Sequence, residues 1–200
     1  MRTPATIVAA AALTACTTTS NQDFIVSTQS IAPRTNLTWV GEPTRLIGAN
    51  DVRLGAKFPE ATLTDLKMKS VILKPDGRVK VIITIPSIDT PVCDAQSHLL
   101  GETDTLDPRI DRIAISTDLP YAQRRFVEKT GLERLTFLSD YRRGELASAT
   151  GLAIERNGLF ARAVIVVDGE GVVRHLQIVP EITNMPDMKQ AFAAANGLLR

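Results

Sequence analysis

The sequence predicts an α/β fold, because short apolar runs typical of strands alternate with segments of helical spacing along most of the chain. From residue 79 onward the predicted order of elements is β-α-β-α-β-α-β-β-α. Such alternation is typical of a mostly parallel sheet covered by helices, and two consecutive strands near the C-terminus add antiparallel edge strands. We therefore expect a mixed central sheet flanked by helices.

The elements before residue 79 are short and are bounded by turn residues. Two alternating pieces within 38–47 are separated by a Gly-Glu-Pro turn, which predicts an N-terminal β-hairpin. Further short strands are expected at 61–64 and 70–73. The hairpin sets the predicted start of the folded domain, which we assign to residues 38–200.

The later elements are longer and alternate in type. The apolar run 79–85 predicts a buried strand, and Gly131 and Gly151 mark the ends of two predicted helices. A glycine turn at 169–171 joins the last two strands into a hairpin. Besides the first buried strand, strands are expected at 112–116, 135–138, 162–168 and 172–179, and helices at 94–100, 119–130, 143–150 and 188–196.

The first fifteen residues predict a targeting segment. Arg2 supplies a positive start, and residues 5–15 form an apolar run of signal-peptide length, too short to span a membrane comfortably. The run ends in Leu13-Thr-Ala-Cys16, which resembles a bacterial lipobox, a signal in which the cysteine sulfur receives a diacylglycerol and the preceding peptide is removed. We therefore predict a signal peptide at 1–15 and lipidation of Cys16.

Residues 16–37 are mostly small and polar after the cysteine, which favours a tether between a membrane and the domain. Removal of residues 1–15 takes away one cation and leaves 22 cations and 22 anions, so anchoring would depend on the lipid alone. We expect an exported protein, anchored to a bacterial membrane with its domain in the periplasm or on the outer face. A plain secretory signal with a chance cysteine and a cytosolic start are the alternatives. The chain has no basic block, so nucleic-acid binding is not expected.

Cys93 is the residue with the clearest chemical role. The loop 86–92 joins strand 79–85 to the helix predicted from Asp94, so the thiol stands at a helix N-terminus. Unpaired N–H groups and the positive end of the helix dipole favour a thiolate there. Once Cys16 is lipidated, Cys93 is the single thiol of the mature sequence. It is therefore either a reactive thiol or an inert buried residue.

Thiol-based peroxide reduction needs a thiolate and donors aimed at the leaving oxygen. Pro86 is placed to shape the pocket, and Thr90 offers a hydroxyl three residues before the sulfur. Arg162 opens an apolar strand and needs a partner, which a thiolate would supply. The alternative is a structural ion pair of this arginine with Glu181 or Asp118.

The run Pro86-Ser-Ile-Asp-Thr-Pro-Val-Cys93 closely resembles the active-site motif of the thiol peroxidase subfamily of the peroxiredoxins, which are bacterial atypical two-cysteine enzymes. The stretches 116–123, 162–168 and 181–183 agree with the same subfamily, and the resemblance covers about residues 38–198. It implies a thioredoxin-like fold of the peroxiredoxin variant, and thiol-dependent reduction of hydrogen peroxide and organic hydroperoxides.

The resemblance also implies roles for single residues. Cys93 would be the peroxidatic cysteine and would be oxidised to a sulfenic acid. Thr90 and Arg162 would orient the peroxide and stabilise the thiolate, and Pro86 would shield the sulfenic acid. A homodimer formed through the face around the active site is expected by the same analogy.

One position departs from the subfamily pattern. A resolving cysteine usually follows a Gln-x-Arg-Phe stretch in the helix after the Asp-Leu-Pro motif, but here Val127 follows Phe126. Cys16 is an implausible replacement, because its sulfur should be acylated. We therefore predict a one-cysteine mechanism, in which the sulfenic acid of Cys93 forms a mixed disulfide with an external thiol, either a thioredoxin-like protein or a small thiol.

The remaining polar candidates favour structural roles. His98 follows the cysteine by five residues and is expected on the helix surface, and His175 is expected to be structural. Metal-ligand spacing and a Gly-rich phosphate loop are both missing from the sequence, so we expect neither a metal nor another cofactor.

The sequence thus favours an antioxidant peroxidase of the cell envelope. A redox sensor or binding protein that is oxidised without rapid turnover, and a structural relic of the fold, are the alternatives.

Overall fold

A seven-stranded mixed sheet forms the centre of the protein, which the computed structural model describes from residue 24 to residue 199. The predicted signal peptide and the lipidation site Cys16 lie outside the described residues. The strands are β1 (Val26–Ser27), β2 (Asn36–Trp39), β3 (Glu42–Ile47), β4 (Ala61–Asp65), β5 (Ser70–Leu73), β6 (Lys80–Thr84), β7 (Asp111–Ser116), β8 (Thr136–Ser139), β9 (Ala153–Ile154), β10 (Ala163–Val167), β11 (Val173–Ile178) and β12 (Met185–Pro186). The helices are α1 (Pro91–Glu102), α2 (Pro120–Thr130), α3 (Glu145–Thr150) and α4 (Met188–Gly197).

The strand order across the central sheet is β11-β10-β6-β7-β8-β4-β5. The expected mixed sheet is confirmed, but the expectation that it would be mostly parallel is wrong. Only the pairs β6–β7 and β7–β8 are parallel, and the other four pairs of this sheet are antiparallel. A parallel neighbour needs a crossover that returns the chain to the same end of the sheet. The chain makes that return between β6 and β7 through α1, and between β7 and β8 through α2.

The core is divided between the two faces of the sheet, because successive side chains of a strand point to opposite sides. On one face Ile82 and Ile165 pack with residues of α3 and of the β2–β3 hairpin. On the other face Ile83 and Val164 pack with residues of α1, α2 and α4. Cys93 belongs to this second cluster. The candidate site therefore lies on the face of the sheet that α1 covers.

The predicted N-terminal hairpin is confirmed. β2 and β3 pair antiparallel, with Trp39 opposite Glu42. The two residues between these strands, Val40 and Gly41, have φ values of 54° and 78°. Positive φ at both positions is the conformation that two-residue hairpin turns require. The short strand β9, which the sequence did not predict, pairs with β3 and extends the hairpin to three strands.

The domain begins earlier than the sequence predicted. Residues 24–37 were assigned to the tether, but β1 pairs in parallel with β12, and the Ile31 N–H donates to the Ile178 carbonyl at 3.0 Å. Leu37 is buried in the core. Backbone pairing and burial of this segment place it in the domain, so the predicted boundary at residue 38 is wrong. No sequence signal indicated this packing, because the paired strand β1 is only two residues long.

Candidate active site

Cys93 lies in the first turn of α1. The helix begins at Pro91 rather than at the predicted Asp94, since the fixed φ of proline suits the first helical position. Cys93 is thus the third residue of the helix, among N–H groups that lack partners within the helix. Its side chain is fully buried, with 0% exposure. The structure therefore gives the sulfur the expected position at a helix start and removes it from bulk water.

Arg162 lies directly against this sulfur. Its Nη2 donates to Cys93 Sγ at 3.2 Å, its Nη1 donates to Gln96 Oε1 at 2.8 Å, and its Nε donates to the Ile182 carbonyl at 2.7 Å. The arginine side chain is 1% exposed. Three fixed partners hold the planar guanidinium in one orientation, so a single N–H group faces the thiol.

The sulfur is the one partner of Arg162 that can carry negative charge. Gln96 is a neutral amide and Ile182 contributes a backbone carbonyl. A buried guanidinium cannot lose its proton in a protein, and an isolated buried charge is costly. The structure therefore places a fixed cation directly against the sulfur.

The alternative ion pairs of Arg162 are not formed. Asp118 accepts from Ser87 Oγ at 2.8 Å and from the Ile88 N–H at 2.9 Å, so it holds the loop before α1. Glu181 is bound by the β2–β3 hairpin and by Thr183. Both carboxylates are occupied elsewhere, which leaves the arginine to the thiol.

The loop residues predicted from the sequence surround the site. Pro86 is buried at the end of β6, and Thr90 is the residue that precedes the helix. The Thr90 hydroxyl donates to the Ser87 carbonyl at 3.4 Å and does not cap the helix. It therefore remains near the first turn without a strong protein partner. Asp118 fixes the loop, a role that the sequence did not predict, since it suggested Asp118 only as a partner for the arginine.

Gln96 is a site residue that the sequence interpretation missed. It is fully buried, it accepts from Arg162, and its Nε2 donates to the Ala163 carbonyl at 3.3 Å. It thereby links α1 to the strand that follows the arginine. Its spacing of three from Cys93 places both residues on one helix face, and this signal could have identified it.

A groove of about 1060 Å³ opens beside the loop, between the start of α1 and α2. Its walls combine apolar and charged side chains. They come from the loop, from α1, from α2 and from the first described residue: Phe24, Ile88, Asp89, Thr90, Pro91, Asp94, Ala95, His98, Ala122, Arg125, Phe126, Lys129 and Thr130. A molecule that approaches the loop would meet these groups first.

The two histidines do not join the cysteine. His98 is partly exposed on α1, with its ring nitrogens 3.3 Å from Asp94 and 2.9 Å from Glu102. Burial lowers the pKa of His175 on β11, and the charge of Asp187 opposes that shift. The first finding confirms the expected surface position, and the second agrees with a structural role.

Val127 lies in α2 and packs against the core cluster that contains Cys93. Its carbonyl accepts from the Gly131 N–H at 2.8 Å, and Gly131 has a φ of 72°, so the predicted glycine end of this helix is confirmed. The position at which the resemblance predicts a resolving cysteine is thus occupied by an apolar side chain that packs against the core.

Residues 24–199 contain neither a cluster of metal-binding side chains nor a helix suited to a membrane. In the range 24–199, groups of three or more His, Cys, Asp or Glu side chains that could hold a metal ion do not occur. None of the four helices in that range combines the length and apolar character that a membrane crossing requires.

A mixed sheet that carries a buried cysteine at a helix start, next to a fixed arginine, is the arrangement that the resemblance to the peroxiredoxins implies. The family model described as Redoxin matches residues 53–193. The chain therefore belongs to the Redoxin family, and its relatives place it among the thiol peroxidases, which are peroxide-reducing enzymes.

The similarity to individual proteins extends over most of the chain. The thiol peroxidase of Halalkalibacterium halodurans is 38% identical over 165 residues, which cover 82% of this chain and 99% of that protein. The thiol peroxidase of Bacillus subtilis is 35% identical over 165 residues, 82% of this chain and 98% of that protein. A crystal structure of a peroxiredoxin-like protein from Aquifex aeolicus superposes with a TM-score of 0.74 at 31% identity, over 84% of this chain and 98% of that one. The predicted thioredoxin-like fold of the peroxiredoxin variant is confirmed.

Proposed function

We propose that this enzyme reduces hydrogen peroxide and organic hydroperoxides through a sulfenic acid on Cys93. The observation that carries the proposal is the 3.2 Å contact between Arg162 Nη2 and the buried Cys93 Sγ. In the reaction the thiolate sulfur bonds to the terminal peroxide oxygen and the O–O bond breaks. The other oxygen leaves with the electron pair and takes a proton from solvent, which gives water or an alcohol.

The surrounding residues supply positioning and shielding in this proposal. The arginine stabilises the thiolate and the charge that develops along the breaking O–O bond, as preorganised donors do in a buried site. The Thr90 hydroxyl has only a 3.4 Å contact with the Ser87 carbonyl, so it can turn to the peroxide. Pro86 is buried at the end of β6 and shields the sulfenic acid from further oxidation.

Recycling follows a one-cysteine route. By the motif resemblance, Val127 occupies the position of the second cysteine, and Cys93 is the free cysteine of the described residues. An external thiol therefore attacks the sulfenic acid, which releases water and forms a mixed disulfide. A second thiol then displaces Cys93 and leaves as the disulfide of the reductant.

We further propose that the enzyme acts in the cell envelope as a lipoprotein and forms a homodimer. The Leu13-Thr-Ala-Cys16 sequence supports the lipid anchor. Leu119 and Tyr121, at the start of α2, are exposed apolar side chains beside the groove, and they support a protein interface on this face.

The experiment is a stopped-flow measurement of the mature chain with Cys16→Ser, mixed with peroxide and followed by intact mass. We expect fast second-order oxidation that adds one oxygen to Cys93, and turnover when a thiol reductant is supplied. A Cys93→Ser control should not react. Oxidation at the rate of a free thiol would sink the peroxidase proposal, and fast oxidation without turnover under any reductant would favour a redox sensor.

A further inference from the structure

We propose that Glu181 is a positioning residue for the reaction at Cys93, because its carboxylate fixes the peptide group that orients Arg162. The inference rests on the proposed peroxide chemistry. It gives the N-terminal hairpin a part in that chemistry, although the hairpin lies outside the site itself.

Glu181 lies in the turn 180–184 and joins this turn to the β2–β3 hairpin. Its carboxylate accepts from Thr38 Oγ1 at 2.6 Å, from the Val40 N–H at 3.0 Å and from the Gly41 N–H at 3.0 Å. It also accepts from the Thr183 N–H at 3.0 Å and from the Thr183 hydroxyl at 2.8 Å. Five donors thus converge on one side chain, and three of them come from the hairpin.

One of these bonds acts directly on the partner of the arginine. The Thr183 N–H and the Ile182 carbonyl belong to the same planar peptide group. The N–H of that group donates to Glu181 Oε1, and its carbonyl accepts from Arg162 Nε at 2.7 Å. The carboxylate therefore sets the direction of the carbonyl that holds the guanidinium.

The backbone of the same turn is tied to β2. The Thr38 N–H donates to the Pro180 carbonyl at 2.8 Å, and the Ile182 N–H donates to the Thr38 carbonyl at 3.0 Å. These two bonds bracket Glu181, so the hairpin and the turn move as one unit. Loss of the carboxylate would leave the turn attached but would remove the acceptor of the Thr183 N–H, and with it the bond that orients the Ile182–Thr183 peptide group.

The charge of Glu181 is suited to a permanent clamp. Partial burial opposes its ionisation, but the hydrogen bonds from Thr38, Thr183 and Gly41 outweigh burial and lower the pKa of Glu181 to about 2. The carboxylate is therefore ionised at neutral pH, and the clamp does not act as a pH switch there.

The link from the carbonyl to the sulfur is the rigid guanidinium. Nε and Nη2 belong to one plane, so an Nε fixed by Ile182 also fixes the direction of the Nη2 that faces Cys93. Misplacement of a positioning group by about 1 Å costs up to about 100-fold in rate. The clamp thus affects the rate without touching the substrate.

A double-mutant cycle separates this role from a merely structural one. Glu181→Ala should lower kcat/KM for hydrogen peroxide about 10-fold in the otherwise native mature chain, and should have almost no further effect in an Arg162→Lys background. The matched control is Glu155→Ala, since Glu155 binds Arg45 of the same hairpin at 2.6 Å and not the 180–184 turn. Equal losses from Glu181→Ala in both backgrounds would overturn the proposal.

A milder pair of variants covers the case in which Glu181→Ala does not fold. Thr38→Val removes one donor to the carboxylate and should lower kcat/KM about five-fold, whereas Thr38→Ser keeps the hydroxyl and should retain the native rate. Equal rates for these two variants would also overturn the proposal. Alkylation of Cys93 by iodoacetamide should slow in Glu181→Ala and not in Glu155→Ala. This readout tests the clamp even if the native chain reacts with peroxide no faster than a free thiol, a result that would sink the proposed function instead.

Discussion

Arg162 Nη2 and Cys93 Sγ lie 3.2 Å apart although 69 positions separate the two residues in the sequence. The cysteine is delivered by α1, which follows β6, and the arginine immediately precedes β10, the antiparallel neighbour of β6. The pairing of these two central strands brings the thiol and the cation together. The reactive site is therefore a property of the sheet order as much as of the cysteine loop.

The arginine should be essential for rate rather than for folding. Arg162→Lys loses the planar fork, and we expect kcat/KM for peroxide to fall about 100-fold. The matched control is Arg112→Lys, because Arg112 is also buried and donates to the carbonyls of Leu100, Gly101 and Leu106. This control should lower the melting temperature with little change in rate. Similar rate losses in both variants would show that any buried arginine has this effect.

Gln96 should act through the arginine. Gln96→Leu leaves Arg162 Nη1 without its acceptor, and we expect a loss in kcat/KM of about 10-fold. Gln123→Leu provides the control, since Gln123 is equally buried but binds Ser116 Oγ and the Leu138 carbonyl. Stopped-flow rates and thermal unfolding of both variants separate the two effects. An unchanged rate in Gln96→Leu would remove this residue from the site.

Restoring the missing cysteine should change the oxidised product. Val127→Cys should form an intramolecular disulfide with Cys93 after one equivalent of peroxide, seen in intact mass as the loss of two hydrogens. Since Cys93 is fully buried, the first turn of α1 has to open for this bond to form. Val127→Ser should give only the sulfenic acid. A persistent sulfenic acid in the cysteine variant would show that α2 does not reach the thiol.

Stability at acid pH should depend on Glu181. Its hydrogen bonds lower its pKa from the ordinary 4.5 to about 2, so the stabilisation is present above pH 4.5 and is lost as the pH falls toward 2. Urea unfolding should show Glu181→Gln less stable than the native chain at pH 7, with the difference shrinking through that window. Asp107, whose pKa the Arg109 side chain lowers to about 2, titrates in both proteins and cancels in the comparison. A difference that stays constant with pH would contradict this assignment.

Local sequence patterns predicted the elements well where the signal is a turn residue or a regular apolar pattern. The β2–β3 hairpin, the buried strand β6 and the glycine that ends α2 are all confirmed. The start of α1 was placed three residues late, because Pro91 can begin a helix as well as extend a loop. The strand β1 was missed, since a two-residue pairing leaves no periodic pattern.

The sequence by itself determined the mixed α/β class and the position of the thiol at a helix start, because these depend on residue identity and short spacing. Only the tertiary structure decided which partner Arg162 takes, that Gln96 and Ile182 hold it, and that Glu181 binds the hairpin. Those contacts join segments from distant parts of the chain, and burial in one site selects among partners that the sequence leaves equivalent.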